Sequence, residues 1–123
     1  MVVKASEENI VQALRRAHEE RDVDLALSLY AEHAEIHVVD HDNPPNSLNV
    51  FRGRAQIAEY LKHLYNHEMT HHVGATLQDV VSGEGRISFN VTSEYTDGTM
   101  RLVAESYEAH SGEIVYQTNV EAS

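Results

Sequence analysis

The feature that most constrains this chain is a change of period near residue 71. Before it, apolar side chains recur three and four residues apart; after it they alternate, which is the two-residue period of a strand. Four strand-length runs follow, 71–81, 86–95, 99–110 and 113–121, separated by Ser82-Gly83-Glu84-Gly85, Asp97-Gly98 and Ser111-Gly112. Asp-Gly is a strong two-residue hairpin signal, because both central positions of such a turn take positive φ. Runs joined this closely pair with their sequence neighbours, so residues 86–121 are expected to form a three-stranded antiparallel meander.

The first half reads as helices around one strand. Ser6 is a candidate N-cap, and Glu7 and Glu8 suit the positive end of a helix. Ile10, Leu14 and Ala17 then lie on one face, widened by Val11. Asp22 can cap a second short helix carrying Leu25, Ala26, Leu29 and Tyr30. Residues 34–40 read as a strand with Ile36, Val38 and Asp40 on one face and Glu35, His37 and Val39 on the other. Residues 41–49 have loop chemistry. Gly53 then opens a third helix whose stripe is Ile57, Tyr60, Leu61 and Leu64. Helices first and a meander last imply an α+β layer, a curved sheet with helices on one face and a pocket in the concavity.

Composition narrows the function. A chain of 123 residues is expected to be a single domain spanning 1–123. No apolar run approaches the roughly 20 residues of a membrane span, and the N-terminal residues lack an apolar signal core. A cytoplasmic protein is the expectation. The absence of cysteine excludes disulfides and thiolate chemistry. Nine Lys and Arg against twenty Asp and Glu give a net charge of −11, which repels nucleic acid and anionic membrane alike. No phosphate-cradling glycine loop or nucleotide fingerprint is present, so no cofactor is implied.

Several phrases in order carry a family likeness: Arg21-Asp22-Val23-Asp24 with Leu29-Tyr30-Ala31, the strand 34–40, the Pro-containing loop, Phe51-Arg52-Gly53 with Ile57, and Ser111-Gly112-Glu113-Ile114. Together they resemble the SnoaL-like polyketide cyclases and ketosteroid isomerases of the nuclear-transport-factor-like superfamily, over nearly the whole chain. The resemblance implies a cone-shaped, mixed but mostly antiparallel sheet wrapped around three helices from the N-terminal half and enclosing a pocket. It also implies homodimerisation through the open sheet face. An isomerase of this type uses an aspartate base on the first strand, a first-helix tyrosine and a protonated aspartate on a late strand. In this chain those positions fall at Val38, Leu14 and Glu105. Neither Val38 nor Leu14 moves a proton, so the standard isomerase mechanism is not expected, and no Asp–Arg–Asp trio of the epoxide hydrolase kind is evident.

The candidate acid–base groups are Asp40, at the pocket rim; His71 or His72, opening the first meander strand; and Glu105, which alternates with Val103 and Tyr107. Tyr107, Gln117 and Asn119 would orient a ligand, with Leu14, Tyr30, Val38, Phe89, Val91 and Ser93 completing the lining. His37 and His71 or His72 could meet near Asp40 or His41, but no His-x-His spacing supports a metal, and none is expected. The expected function is acid–base chemistry (isomerisation, aldol-type cyclisation or dehydration) on a small apolar carbonyl compound. The alternatives are a non-catalytic binding module for an apolar metabolite and a dimerising structural domain.

Overall fold

The structure is a computed structural model that describes the backbone of residues 2–40, 49–65 and 72–121, with side chains at 8–40, 49–65 and 76–121. Helices α1 (Val2–Glu20) and α2 (Val23–Ser28) precede β1 (Tyr30–Val39), and β2 (Asn49–Arg52) leads into α3 (Gly53–His63). Strands β3 (His72–Gly83), β4 (Arg86–Tyr95), β5 (Met100–His110) and β6 (Glu113–Glu121) follow. The six strands form one sheet in the order β2-β1-β6-β5-β4-β3, and only the β1–β6 pair is parallel. The expected meander over 86–121 is present, and its three runs match β4, β5 and β6 to within a residue.

The turns show why the register is firm. Glu84 and Gly85 have φ of +55° and +78°, and Ser111 and Gly112 have +54° and +80°; both are two-residue loops whose twist matches that of the strands. At Gly85 an added Cβ would come 2.9 Å from the Ala109 carbonyl oxygen, whose own N–H donates to the Gly85 carbonyl at 2.7 Å. Only glycine fits there. The Asp97-Gly98 turn differs from expectation. Tyr95 N–H donates to the Thr99 carbonyl and Gly98 N–H to the Tyr95 carbonyl, both at 3.0 Å, so the loop holds three residues with positive φ at Gly98 alone. The Asp97 carboxylate accepts from the Thr99 N–H at 2.9 Å and stabilises the longer turn.

Other local expectations divide. Asp22 caps α2, with Leu25 N–H donating to its Oδ1 at 3.0 Å. Helix α1 already begins at Val2, so Ser6 is inside it and is not its cap. Tyr30 is not a helical residue: α2 ends at Ser28 and Tyr30 opens β1, where it pairs with Ile114. Asn49–Arg52, not expected as a strand, is an edge strand antiparallel to β1.

The helices cover one sheet face. Ile10, Leu14 and Ala17 from α1, with Ile57 and Leu61 from α3, are buried against Ile36, Ile87 and Ile114 of the sheet. The inner face of β5 presents Glu105 and Tyr107, and that of β6 presents Gln117 and Asn119, all buried. Polar side chains so placed must find partners, which makes this end of the core the place to look for function.

Candidate functional site

The concavity holds two adjoining spaces. An outer cleft of about 80 Å³ is lined by Val38, Val39 and Asp40 of β1, Val91, Ser93 and Tyr95 of β4, Arg101, Val103 and Glu105 of β5, and Asn119 and Glu121 of β6, with His18, Tyr60 and Leu64 from the helical side. Beneath it, an inner chamber of about 20 Å³ is bounded by Leu14, His18, Tyr30, Tyr60, Tyr65, Glu105, Tyr107, Gln117 and Asn119 among others. His18, Tyr60, Leu64, Glu105 and Asn119 line both. Glu105 therefore stands at the junction of cleft and chamber.

Two hydrogen-bonded sets organise the polar groups. The Tyr107 hydroxyl donates to Glu105 Oε1 from the next inward position of the same strand. Separately, the Tyr30 hydroxyl donates to Gln117 Oε1, Gln117 Nε2 to Asn119 Oδ1 at 2.9 Å, and Asn119 Nδ2 to the Tyr60 hydroxyl at 3.0 Å. That series runs from the chamber to a residue of the cleft. Burial and the Glu105 carboxylate hold the Tyr30 and Tyr107 phenols well above their ordinary pKa, and the same two causes raise Tyr65. A phenol that keeps its proton is a hydrogen-bond donor at any physiological pH.

The sequence-selected residues gather here unevenly. Leu14, Tyr30, Tyr107 and Gln117 border the chamber, Val38, Asp40, Val91 and Ser93 the cleft, and Glu105 and Asn119 both. Phe89 is a correction: it is buried in the core against Tyr107, ring centroids 5.5 Å apart, and borders neither space. His71 lies outside the described residues; the backbone of His72 pairs with Tyr95 at the start of β3, and its side chain is likewise outside them. His41 is also outside them. His37 does not join Asp40. It lies on the opposite sheet face, bonded to Glu35 at 2.9 Å and in tilted ring contact with Tyr116, centroids 4.8 Å apart. No cluster of three potential metal ligands occurs among the described residues.

Sequence reasoning missed His18, Tyr60, Tyr65, Arg101 and Glu121. His18 was legible: it is one helical turn beyond Leu14, on the same face of α1. Its Nδ1 is 2.9 Å from the Leu14 carbonyl oxygen. A carbonyl only accepts, so the ring donates to it through Nδ1–H. The Tyr65 ring meets the His18 ring edge-on at 5.6 Å. At the rim, Arg101 pairs with Glu121 through its Nε, tying β5 to β6.

The sequence pattern of the SnoaL-like domain family matches residues 11–117. The chain belongs to that family. Its fold is shared with solved structures at low identity. An NTF2-like protein of unknown function from Mesorhizobium loti superposes with TM-score 0.82 at 13% identity, covering 97% of this chain and 93% of that one. A ketosteroid-isomerase-like protein from Kribbella flavida DSM 17836 gives 0.74 at 13%, covering 97% and 79%. A de novo designed protein with a curved β-sheet gives 0.75 at 12%, covering 95% and 85%. No curated protein matches the sequence. Likeness of fold does not by itself specify chemistry.

Proposed function

We infer that this SnoaL-like domain binds a small, largely apolar carbonyl compound in the concavity of its sheet and transfers a proton next to the carbonyl. One observation carries this reading. Glu105, a carboxyl group only 8% exposed, stands where the cleft meets the chamber, and among the described residues the donor bonded to it is one neutral phenol, Tyr107. A carboxyl in that setting is positioned to take a proton from a ligand carbon and return it. His18, which lines the same spaces, is the second acid–base group, and Asp40 at the rim a third. Gln117 and Asn119, fixed by Tyr30 and Tyr60, hold the ligand's orientation. The reaction class is isomerisation, aldol-type cyclisation or dehydration.

The domain acts as a cytoplasmic homodimer in this reading, paired through the outer face of β4, β5 and β6. Among the described residues no helix is long and apolar enough to cross a membrane.

Proton transfer beside a carbonyl can be followed without knowing the substrate. Incubated with small cyclic ketones in D₂O, the protein should accelerate deuterium incorporation at the α-carbon, and Glu105→Gln should lower that rate by about a hundredfold or more while ligand affinity stays within a few-fold. Ketone binding without exchange in the native protein would favour the non-catalytic binding module, for which the protonless Leu14 and Val38 already argue. Exchange unaffected by Glu105→Gln would remove Glu105 from the chemistry.

A further inference from the structure

Tyr65 is the one described residue with a buried side-chain polar atom that no described group satisfies. It follows α3, is 2% exposed, and its hydroxyl has no hydrogen-bond partner among the described residues. Such an atom is expensive to bury, and in a native fold it signals a group that something else engages. Its phenol keeps its proton, so what it seeks is an acceptor. The ring borders the inner chamber, beside Glu105 and across from the Tyr30–Gln117 pair.

The chamber's size and charge define what that acceptor is. About 20 Å³ accommodates one water-sized atom and not two. A carboxylate or phosphate is too large, and the Glu105 carboxylate would repel either. Around the chamber the Tyr30 proton is given to Gln117, the Tyr107 proton to Glu105, a Gln117 amide proton to Asn119 and an Asn119 amide proton to Tyr60. The Tyr65 hydroxyl is the buried group that no described residue engages.

We propose that the inner chamber is a single-oxygen site in which the Tyr65 hydroxyl binds the terminal carbonyl or hydroxyl oxygen of the ligand. The ligand enters oxygen first, with its apolar body left against Val38, Leu64 and Val91 in the cleft. This rests on the cavity reading given above and narrows it to neutral compounds ending in one oxygen. Tyr65 acts as a specificity-determining residue, and Glu105 next to it accepts the proton when that oxygen is a hydroxyl.

The test uses three probes of one shape, p-cresol, toluene and 4-methylbenzoate, titrated into the full chain and its Tyr65→Phe variant by NMR. The native protein should bind p-cresol at least fivefold more tightly than toluene and reject 4-methylbenzoate. Tyr65→Phe should bring p-cresol and toluene to near equality without weakening toluene. The ligand-free variant should melt no lower than the native protein, since it loses a hydroxyl that bonds nothing. Equal binding of p-cresol and toluene to the native protein, a preference that survives Tyr65→Phe, or tight binding of the benzoate overturns the single-oxygen site while leaving the cavity reading intact. A drop in melting temperature would mean that the hydroxyl serves the fold, and overturns it too. Failure of all three probes to bind overturns the cavity reading and the site together.

Discussion

At the residue scale, the site is a buried carboxyl surrounded by phenols. Glu105, Tyr107 and Tyr30 each sit at inward positions, and the alternation of Val103, Glu105 and Tyr107 was enough to assign them one face. It could not say which face, because an alternating strand reads the same from either side until packing chooses. The phenols have a measurable consequence. Tyr30, Tyr65 and Tyr107 have folded pKa values above the unperturbed value of about 10, from burial and then from Glu105. Their contribution to stability is complete below about pH 10 and is lost as pH rises through the folded values, since the unfolded chain releases those protons first. In an alkaline titration followed at 295 nm and by circular dichroism, these three of the six tyrosines should ionise only as the protein unfolds. Reversible ionisation of all six near pH 10 with native dichroism retained would contradict their burial.

At the element scale, the strands after residue 71 were readable because each is closed by a turn with its own chemistry. Glu84-Gly85 and Ser111-Gly112 hold positive φ at both positions, and the runs they join pair directly at the turn, with register shifts farther out between Gln78 and Val81 and between Glu108 and Ala109. The Asp97-Gly98 turn was misjudged by one residue, because the Asp97 side chain bonds its own loop, a competition that the dipeptide does not reveal. Asn49–Arg52 was missed as a strand because four residues carry too little alternation, and its pairing with β1 is a tertiary fact. The outer faces of β5 and β6 bear apolar residues that the helices do not cover: Leu102 and Val120 are 38% and 41% exposed, on adjacent strands. Pairing of two chains there predicts sedimentation at twice the 13.8 kDa chain mass at micromolar concentration, reduced to the single mass by the double change Leu102→Lys and Val120→Lys. A native chain that sediments as a monomer would refute this pairing.

At the scale of the whole molecule, the fold brings residues from opposite ends of the sequence to one point. Tyr30 meets Gln117 across 87 positions, and Tyr60 meets Asn119 across 59. The parallel contact of β1 with β6 makes this possible, and order of elements alone does not disclose it. The phrase order of the sequence did disclose the family, but it left open which face of the 99–110 strand lines the cavity. The place of Tyr65 was hidden because it depends on how the segment after α3 seats over the sheet, whereas that of His18 follows from its spacing to Leu14. A second, larger groove on the outer sheet face, bordered by Ser88, Ser106, Tyr116 and Thr118, is the rival place for a ligand. The most direct test of the account is therefore a crystal structure of the protein soaked with p-cresol. The account predicts the phenol oxygen within hydrogen-bond distance of the Tyr65 hydroxyl and the Glu105 carboxylate, with the ring against Val91 and Leu64; a phenol seated in the outer groove, with the interior unaltered, would contradict it.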